Sequence, residues 1–271
     1  MTLRTTAFAL LAGIVTSVSS AQIEPHRDIQ LSIVEGQINT GVVDFDTPGN
    51  PITPDVRIFT RTLGEGAIDH FTDDPGFNAF SGTFVPGTLI GFDMMDHLRR
   101  WNAAEGHFDE IPEVTMLINL GVVSINTPAE SENPTFPVPG FFFASTSGSG
   151  GLHQHVNFFL NPPQTAGVYL LQLRVVSNGG ELPSETVYII FSENAAMENV
   201  EQAAMHIEGL INGAGLCAGD CDENGTVDFN DLVCTLFEFG TDNPVSDCDQ
   251  SGLVDFNDLI CALFAFGPCP E

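Results

Sequence analysis

Residues 220–240 read Asp220-Cys-Asp-Glu-Asn-Gly-Thr-Val-Asp-Phe-Asn-Asp-Leu-Val-Cys-Thr-Leu-Phe-Glu-Phe-Gly240. The chain repeats the phrase as Asp247-Cys-Asp-Gln-Ser-Gly-Leu-Val-Asp-Phe-Asn-Asp-Leu-Ile-Cys-Ala-Leu-Phe-Ala-Phe-Gly267. Fifteen of 21 positions match at an offset of 27, so one structural unit is used twice. Each copy opens with oxygen-bearing side chains at alternate positions and closes with an apolar segment of helical period.

The order of oxygens is that of an EF-hand-type calcium loop, in which a hard cation is caged by carboxylates and carbonyls around a sharp glycine turn. In the first copy Asp220, Asp222 and Asn224 stand at loop positions 1, 3 and 5, and Gly225 permits the turn. Thr226 offers its carbonyl, Asp228 reaches the ion through water, and Asp231 closes the shell. The second copy supplies Asp247, Asp249, Ser251, Leu253, Asp255 and Asp258, turning at Gly252. Two Ca²⁺ ions are therefore expected. Both loops depart from the pattern by closing with Asp instead of Glu and by lacking an entering helix. Val227 and Val254 occupy the position where paired loops are expected to touch. A helix should follow each loop, with Leu232, Val233, Leu236 and Phe237 as one apolar face and Leu259, Ile260, Leu263 and Phe264 as the other.

All six cysteines lie in this segment: Cys217, Cys221, Cys234, Cys248, Cys261 and Cys269. An even number in a short stretch reads as three disulfides. A module of some 55 residues buries little core, so ions and disulfides should be needed to hold it. Residues 216–271 contain 12 acids and no basic residue.

The rest of the chain has a different character. Residues 1–21 read as a secretory signal: Arg4 gives a positive start, Thr6 to Val18 an apolar run, and Ser19-Ser20-Ala21 a cleavage site. The apolar run is too short to span a membrane, and no later segment qualifies, so no transmembrane helix is expected in the mature chain. The formal net charge is −29, with no lysine. Phosphate backbones repel such a chain, which excludes nucleic acid. Residues 22 to about 192 alternate in the manner of strands. Ile29, Leu31 and Ile33 precede a Glu35-Gly36 turn, and further strands are expected over 57–63, 88–94, 115–119, 122–126, 140–145, 152–160, 168–177 and 186–192. Many short strands with turn signals predict a β-sandwich or jelly-roll-like domain. Trp101 is expected in a short helical insertion over 97–104. A helix is expected from Ala195 to Ile211, with Met197, Val200, Ala204, Ile207 and Ile211 as its stripe and Asn194 as its cap. Gly213-Ala-Gly215 reads as a hinge.

The β-rich part has no lysine or cysteine nucleophile and none of the common hydrolase or nucleotide-binding motifs, and no carboxylate pair stands out. A non-enzymatic role is the expectation. Its one constellation is built on histidine. His153-Gln-His155 in a strand puts both imidazoles on one face, and His26-Arg-Asp28 does the same for His26 and Asp28. Three imidazoles and a carboxylate can bind Zn²⁺ or Cu²⁺ if the two segments meet.

Two resemblances add to this reading. Residues 216–271 resemble a dockerin domain, the two-loop module that binds cohesins in polysaccharide-degrading assemblies. Their cysteines resemble the variant found at the C-terminus of exported, surface-anchored bacterial proteins. That likeness implies a Cys217–Cys269 clasp and leaves the other four cysteines unassigned. Many dockerins read their partner with small hydroxyl residues where this chain has Phe229-Asn230 and Phe256-Asn257, so the partner implied is a cohesin-like or another surface protein. These phenylalanines read either as core or as docking residues. Residues 26–211 are similar to a family of exported β-rich proteins, some repressed by the zinc-uptake regulator. The likeness lies in His26-Arg-Asp-Ile29, Phe71-Thr-Asp-Asp-Pro-Gly-Phe-Asn78, His153-Gln-His155, Asn157-Phe-Phe-Leu160 and Gly167-Val-Tyr-Leu-Leu-Gln-Leu173. It implies a role near metal supply at the cell surface.

The sequence thus predicts a mainly β chain: signal peptide 1–21, β-sandwich 22–212, hinge 213–215 and calcium-binding dockerin-like module 216–271. The expected role is that of a secreted or cell-surface protein attached through the module. The alternative is a carbohydrate-binding or glycoside-hydrolysing component of a polysaccharide-degrading complex.

Overall fold

The computed structural model describes residues 26–212, 219–222, 224–241, 243, 245–248, 251 and 253–269. The expected signal peptide, the hinge, Cys217, Asp249 and Gly252 lie outside the described residues.

The chain is mainly β. Strands β1 (Arg27–Val34) and β2 (Gln37–Asp44) form a hairpin whose turn residues Glu35 and Gly36 both have positive φ, 51° and 83°. There follow β3 (Ile52–Pro54), β4 (Ile58–Thr62), β5 (Phe71–Thr72), β6 (Phe77–Ala79) and β7 (Leu89–Met94). The middle of the chain gives β8 (Arg99–Asn102), β9 (His107–Glu110), β10 (Met116–Leu120), β11 (Val123–Asn126) and β12 (Val138–Ser145). Then come β13 (Leu152–Gln154), β14 (Asn157–Leu160), β15 (Gly167–Ser177), β16 (Val187–Glu193) and helix α1 (Met197–Asn212). The last segment contains β17 (Thr226–Val227), α2 (Phe229–Phe237), α3 (Phe256–Phe264) and β18 (Gly267–Pro268).

These strands form three larger sheets. One runs β13-β6-β1-β2-β3, a second β11-β10-β14-β5, and the third β12-β7-β15-β16-β4, with β8 and β9 attached to β15. Two pairings are parallel, β1 with β6 and β4 with β16. All three sheets contribute to one apolar core, exemplified by Ile29 and Leu31 from β1, Ile118 and Phe158 from β10 and β14, and Tyr169 and Phe191 from β15 and β16. The period of two explains a second, smaller core. Val168, Leu170 and Ile190 point to the opposite face of β15 and β16, where Val200, Ala203 and Ile207 of α1 cover them. Both strands are therefore buried on both sides.

Several local expectations are corrected. The segment 97–104 is not helical: Arg100 pairs with Tyr169, and β8 turns back into β9 as a hairpin. An available strand edge on β15 outweighs a weak helical pattern here. Trp101 packs on Phe108 and His206 in the smaller core. The expected strand 152–160 is two strands that enter different sheets, broken at His155-Val156. Helix α1 begins at Met197, so Asn194 (φ 49°) lies in the turn before it, and Met197 is exposed while Ala203 is buried.

Candidate metal centres

The first centre is built by the sheet β13-β6-β1. Asp28 lies on β1, His26 just before it, His153 on β13, and His155 one residue past the end of β13. Strand β6 lies between β1 and β13, with Phe77 beside Ile29 and Asn78 beside His153. Residues more than a hundred positions apart are thereby brought together. His26 Nε2 is 3.4 Å from Asp28 Oδ1, while His153 Nδ1 and His155 Nε2 are 3.5 and 3.6 Å from Asp28 Oδ2. The two imidazoles approach to 3.3 Å between their Nε2 atoms. With one ligand atom taken from each residue, the four lie within 4.8 Å of one another, near enough for donors to close on one tetrahedral ion at ~2.0–2.1 Å. Phe45 packs edge-on against His153, with ring centroids 5.2 Å apart, and tilted against His26 at 5.3 Å.

The polar accounting at this centre favours a cation. Asp28 is fully buried, and among the described residues its Oδ2 has no hydrogen-bond partner, nor has His26 Nε2. A buried carboxylate oxygen with no hydrogen bond costs about 1–3 kcal/mol; the imidazoles of His153 and His155 meet Oδ2 at 3.5 and 3.6 Å, and a cation shared among these groups would satisfy it. His153 and His26 are 46 and 40% exposed, which leaves the pocket open to solvent on their side.

The structure adds a fifth group that the sequence reading did not assign. Asp74 Oδ1 is 3.2 Å from His155 Nδ1 and 3.9 Å from His26 Nε2. Its hydrogen bond, joined by the Asp73 carbonyl and the charge of Asp28, holds the His155 imidazole up at about 9 against the opposing effect of burial. The same hydrogen bond pulls the Asp74 carboxyl below its ordinary value. The sequence signal was present in Asp73-Asp-Pro-Gly76, but a turn of acids and Pro-Gly has no assigned partner until β6 pairs with β1.

The second centre is the duplicated loop. In the first copy, oxygens of Asp220, Asp222 and Asp231 lie within 4.8 Å of one another. Asp220 accepts from the amides of Asn224 and Gly225 at 3.0 and 2.8 Å, and Asp231 accepts from Asp222 and Asp228 at 3.0 and 2.7 Å. Gly225 makes the turn at φ 84°, a conformation that suits glycine. Asp228 caps α2 through the Asn230 amide, and Asp255 caps α3 through Asn257, both at 2.7 Å. In the second copy Asp247 accepts from the Ser251 amide at 2.9 Å and Asp258 from Asp255 at 2.7 Å. Asp231 and Asp258 are fully buried, in a segment with no basic side chain. An all-oxygen donor set with buried carboxylates, in a segment whose own sequence has no basic residue, is of the kind that a hard divalent ion can neutralise. Desolvation and then the facing charge of Asp231, with Asp220 and Asp228 behind it, push the Asp222 carboxyl up.

Disulfides join Cys221 to Cys234 and Cys248 to Cys261, equivalent places in the two repeats. Each ties the second residue of a loop to the helix that carries its closing Asp. Of the expected Cys217–Cys269 clasp, Cys217 lies outside the described residues. Val227 and Val254 are both buried. Val227 is in register with Gly267, and Val254 bonds Gly240 and Thr241, so each loop joins the end of the other repeat. The expected apolar helix faces are largely outside: Phe237 is 84% and Phe264 86% exposed, and Phe229 and Phe256 are also exposed. The buried positions are Asp231 and Thr235 on α2 and Asp258 and Ala262 on α3, one helical turn apart. The closing carboxylates fix which face turns inward.

A third group, Glu105, His107 and Asp109 on the β8–β9 hairpin, is largely solvent-exposed. Among the described residues no helix is long and apolar enough to cross a membrane. The chain matches no protein-family model and no curated protein.

Proposed function

We propose that this is an exported, non-enzymatic surface protein whose β-rich part binds one transition metal ion, Zn²⁺ or Cu²⁺, at His26, Asp28, His153 and His155. In this reading residues 22–212 form a β-sandwich of jelly-roll-like type. The tail is a dockerin-like module stabilised by two Ca²⁺ ions, which attaches the protein to a cohesin-like or other surface partner. The observation that carries the proposal is Asp28: fully buried, with one oxygen lacking a hydrogen-bond partner among the described residues, and approached by three imidazoles. Support for the tail comes from the two like-placed disulfides, which suit an oxidising compartment, and from the exposed Phe229, Phe237, Phe256 and Phe264, an apolar surface of the kind that marks interaction sites.

The test is metal analysis of the purified full chain kept in calcium. One Zn²⁺ or Cu²⁺ per chain is expected, and His153→Ala should lose stoichiometric loading while keeping the far-UV spectrum. Glycan binding or hydrolysis by a chain that takes up no metal would overturn the proposal and place the protein in a polysaccharide-degrading complex.

A further inference from the structure

Residues 73–76 connect β5 to β6 and approach three of the four candidate ligands, His26 at 3.9 Å from Asp74 Oδ1, and His155 and Asp28 more closely. The Asp73 carbonyl is 2.8 Å from His155 Nδ1. A carbonyl oxygen only accepts, so Nδ1 carries the proton, and in the neutral ring Nε2 carries the lone pair. Nε2 is the atom that faces His153 Nε2 at 3.3 Å and Asp28 Oδ2 at 3.6 Å. Asp74 Oδ1 stands 3.2 Å from the same Nδ1. Two residues on, the Gly76 amide donates to Asp28 Oδ1 at 2.9 Å. A Cβ added at Gly76 would lie 2.7 Å from the His155 ring and 2.9 Å from Asp28 Oδ2, so backbone must pass here without a side chain. The turn is itself anchored, with the Asp74 amide donating to Thr72 Oγ1 at 3.2 Å.

We infer that Asp74 is a positioning residue of this centre: its carboxylate stays outside the metal's own ligands and fixes the His155 ring so that Nε2 faces the other three donors. The inference rests on reading the tetrad as a transition-metal site. Metal-binding imidazoles commonly donate their second N–H to a carboxylate or carbonyl, and loss of that partner typically costs about 10–100-fold in affinity. Here both partners come from one turn, which also holds Asp28. Asp28 of β1 and His155 just past β13 are thus set by a single backbone segment.

The experiment uses the full chain in calcium, with Zn²⁺ affinity read by competition with a chromogenic chelator and ligand geometry read from the visible spectrum of the Co²⁺-loaded protein. Asp74→Ala should weaken Zn²⁺ binding by about 10–100-fold and change the Co²⁺ bands, with an unaltered far-UV spectrum. Asp74→Glu should restore part of both. If Asp74→Ala does not fold, the isosteric Asp74→Asn carries the same comparison. Wild-type affinity and Co²⁺ spectrum in a folded Asp74 variant overturn the inference alone. A wild-type chain that takes up neither metal overturns the reading of the tetrad, and this inference with it.

Discussion

His155 is pulled in two directions. In the metal-free protein Asp74, the Asp73 carbonyl and Asp28 favour its protonated form up to about pH 9, whereas a metal ion needs the Nε2 lone pair. A folded-state value raised above the unfolded value of about 6.5 contributes stability that is complete below that value and is lost as pH rises through about 9. The melting temperature of the metal-free chain should therefore fall between pH 7 and 9.5. His155→Asn should lack that part of the fall, and calorimetric melts across this range check it; parallel pH profiles for both proteins would contradict the assignment. Asp74 acts with the opposite sign: its lowered value adds stability that is present above about pH 4 and disappears as the carboxyl protonates. At this scale the grouping of the four candidate ligands was legible, because spacing of two in a strand-like segment places His153 with His155 and His26 with Asp28 on common faces. Asp74 and Gly76 were not. Their roles arise from a parallel pairing between β1 and β6, which no local pattern encodes.

Helix α1 shows what element-level reading captures and what it misses. Its period gave the stripe Met197, Val200, Ala204, Ile207 and Ile211, and the structure packs all of these but the exposed Met197 with residues of β15 and β16. Ile207 is 2% exposed, so Ile207→Ala should cost about 2–5 kcal/mol by loss of burial and a residual cavity. Chemical denaturation checks this; a change below about 0.5 kcal/mol, the range of neutral surface substitutions, would mean the helix is not docked as described. Helices α2 and α3 teach the reverse. Their apolar periodicity is genuine, yet Phe237 and Phe264 face outward, because Asp231 and Asp258 must turn inward with the loops they close. Hydrophobic pattern alone predicts the inward face only where no polar group has a stronger claim to it. Strand existence was readable from alternation around turn residues such as Glu35-Gly36. The distribution of strands over three sheets depends on contacts distant in sequence.

Across the whole molecule two kinds of support alternate. The β-rich part has an extensive apolar core drawn from all three sheets. The tail, by contrast, relies on disulfides, on backbone amides clasping carboxylates, and on the ions we assign to it. Calcium removal should then unfold residues 216–271 and leave the sheets intact. Far-UV circular dichroism of the full chain with chelator should lose the share of helical signal that α2 and α3 supply, while the share of α1 and the near-UV signal of Trp101 persist; an unchanged helical signal would contradict the calcium assignment. The net charge of −29 makes the chain a polyanion, and divalent ions should further steady it by screening. The β-rich part depends for its proposed role on a different chemistry, nitrogen-rich and partly open to solvent. The most direct test of that role is X-ray absorption on the Zn²⁺-loaded full chain in calcium, compared with Asp28→Asn. The account predicts one zinc per chain with a shell of three imidazole nitrogens and one carboxylate oxygen at about 2.0–2.1 Å, disrupted in the variant. A shell made only of water and oxygen ligands, or one unchanged by Asp28→Asn, would contradict it.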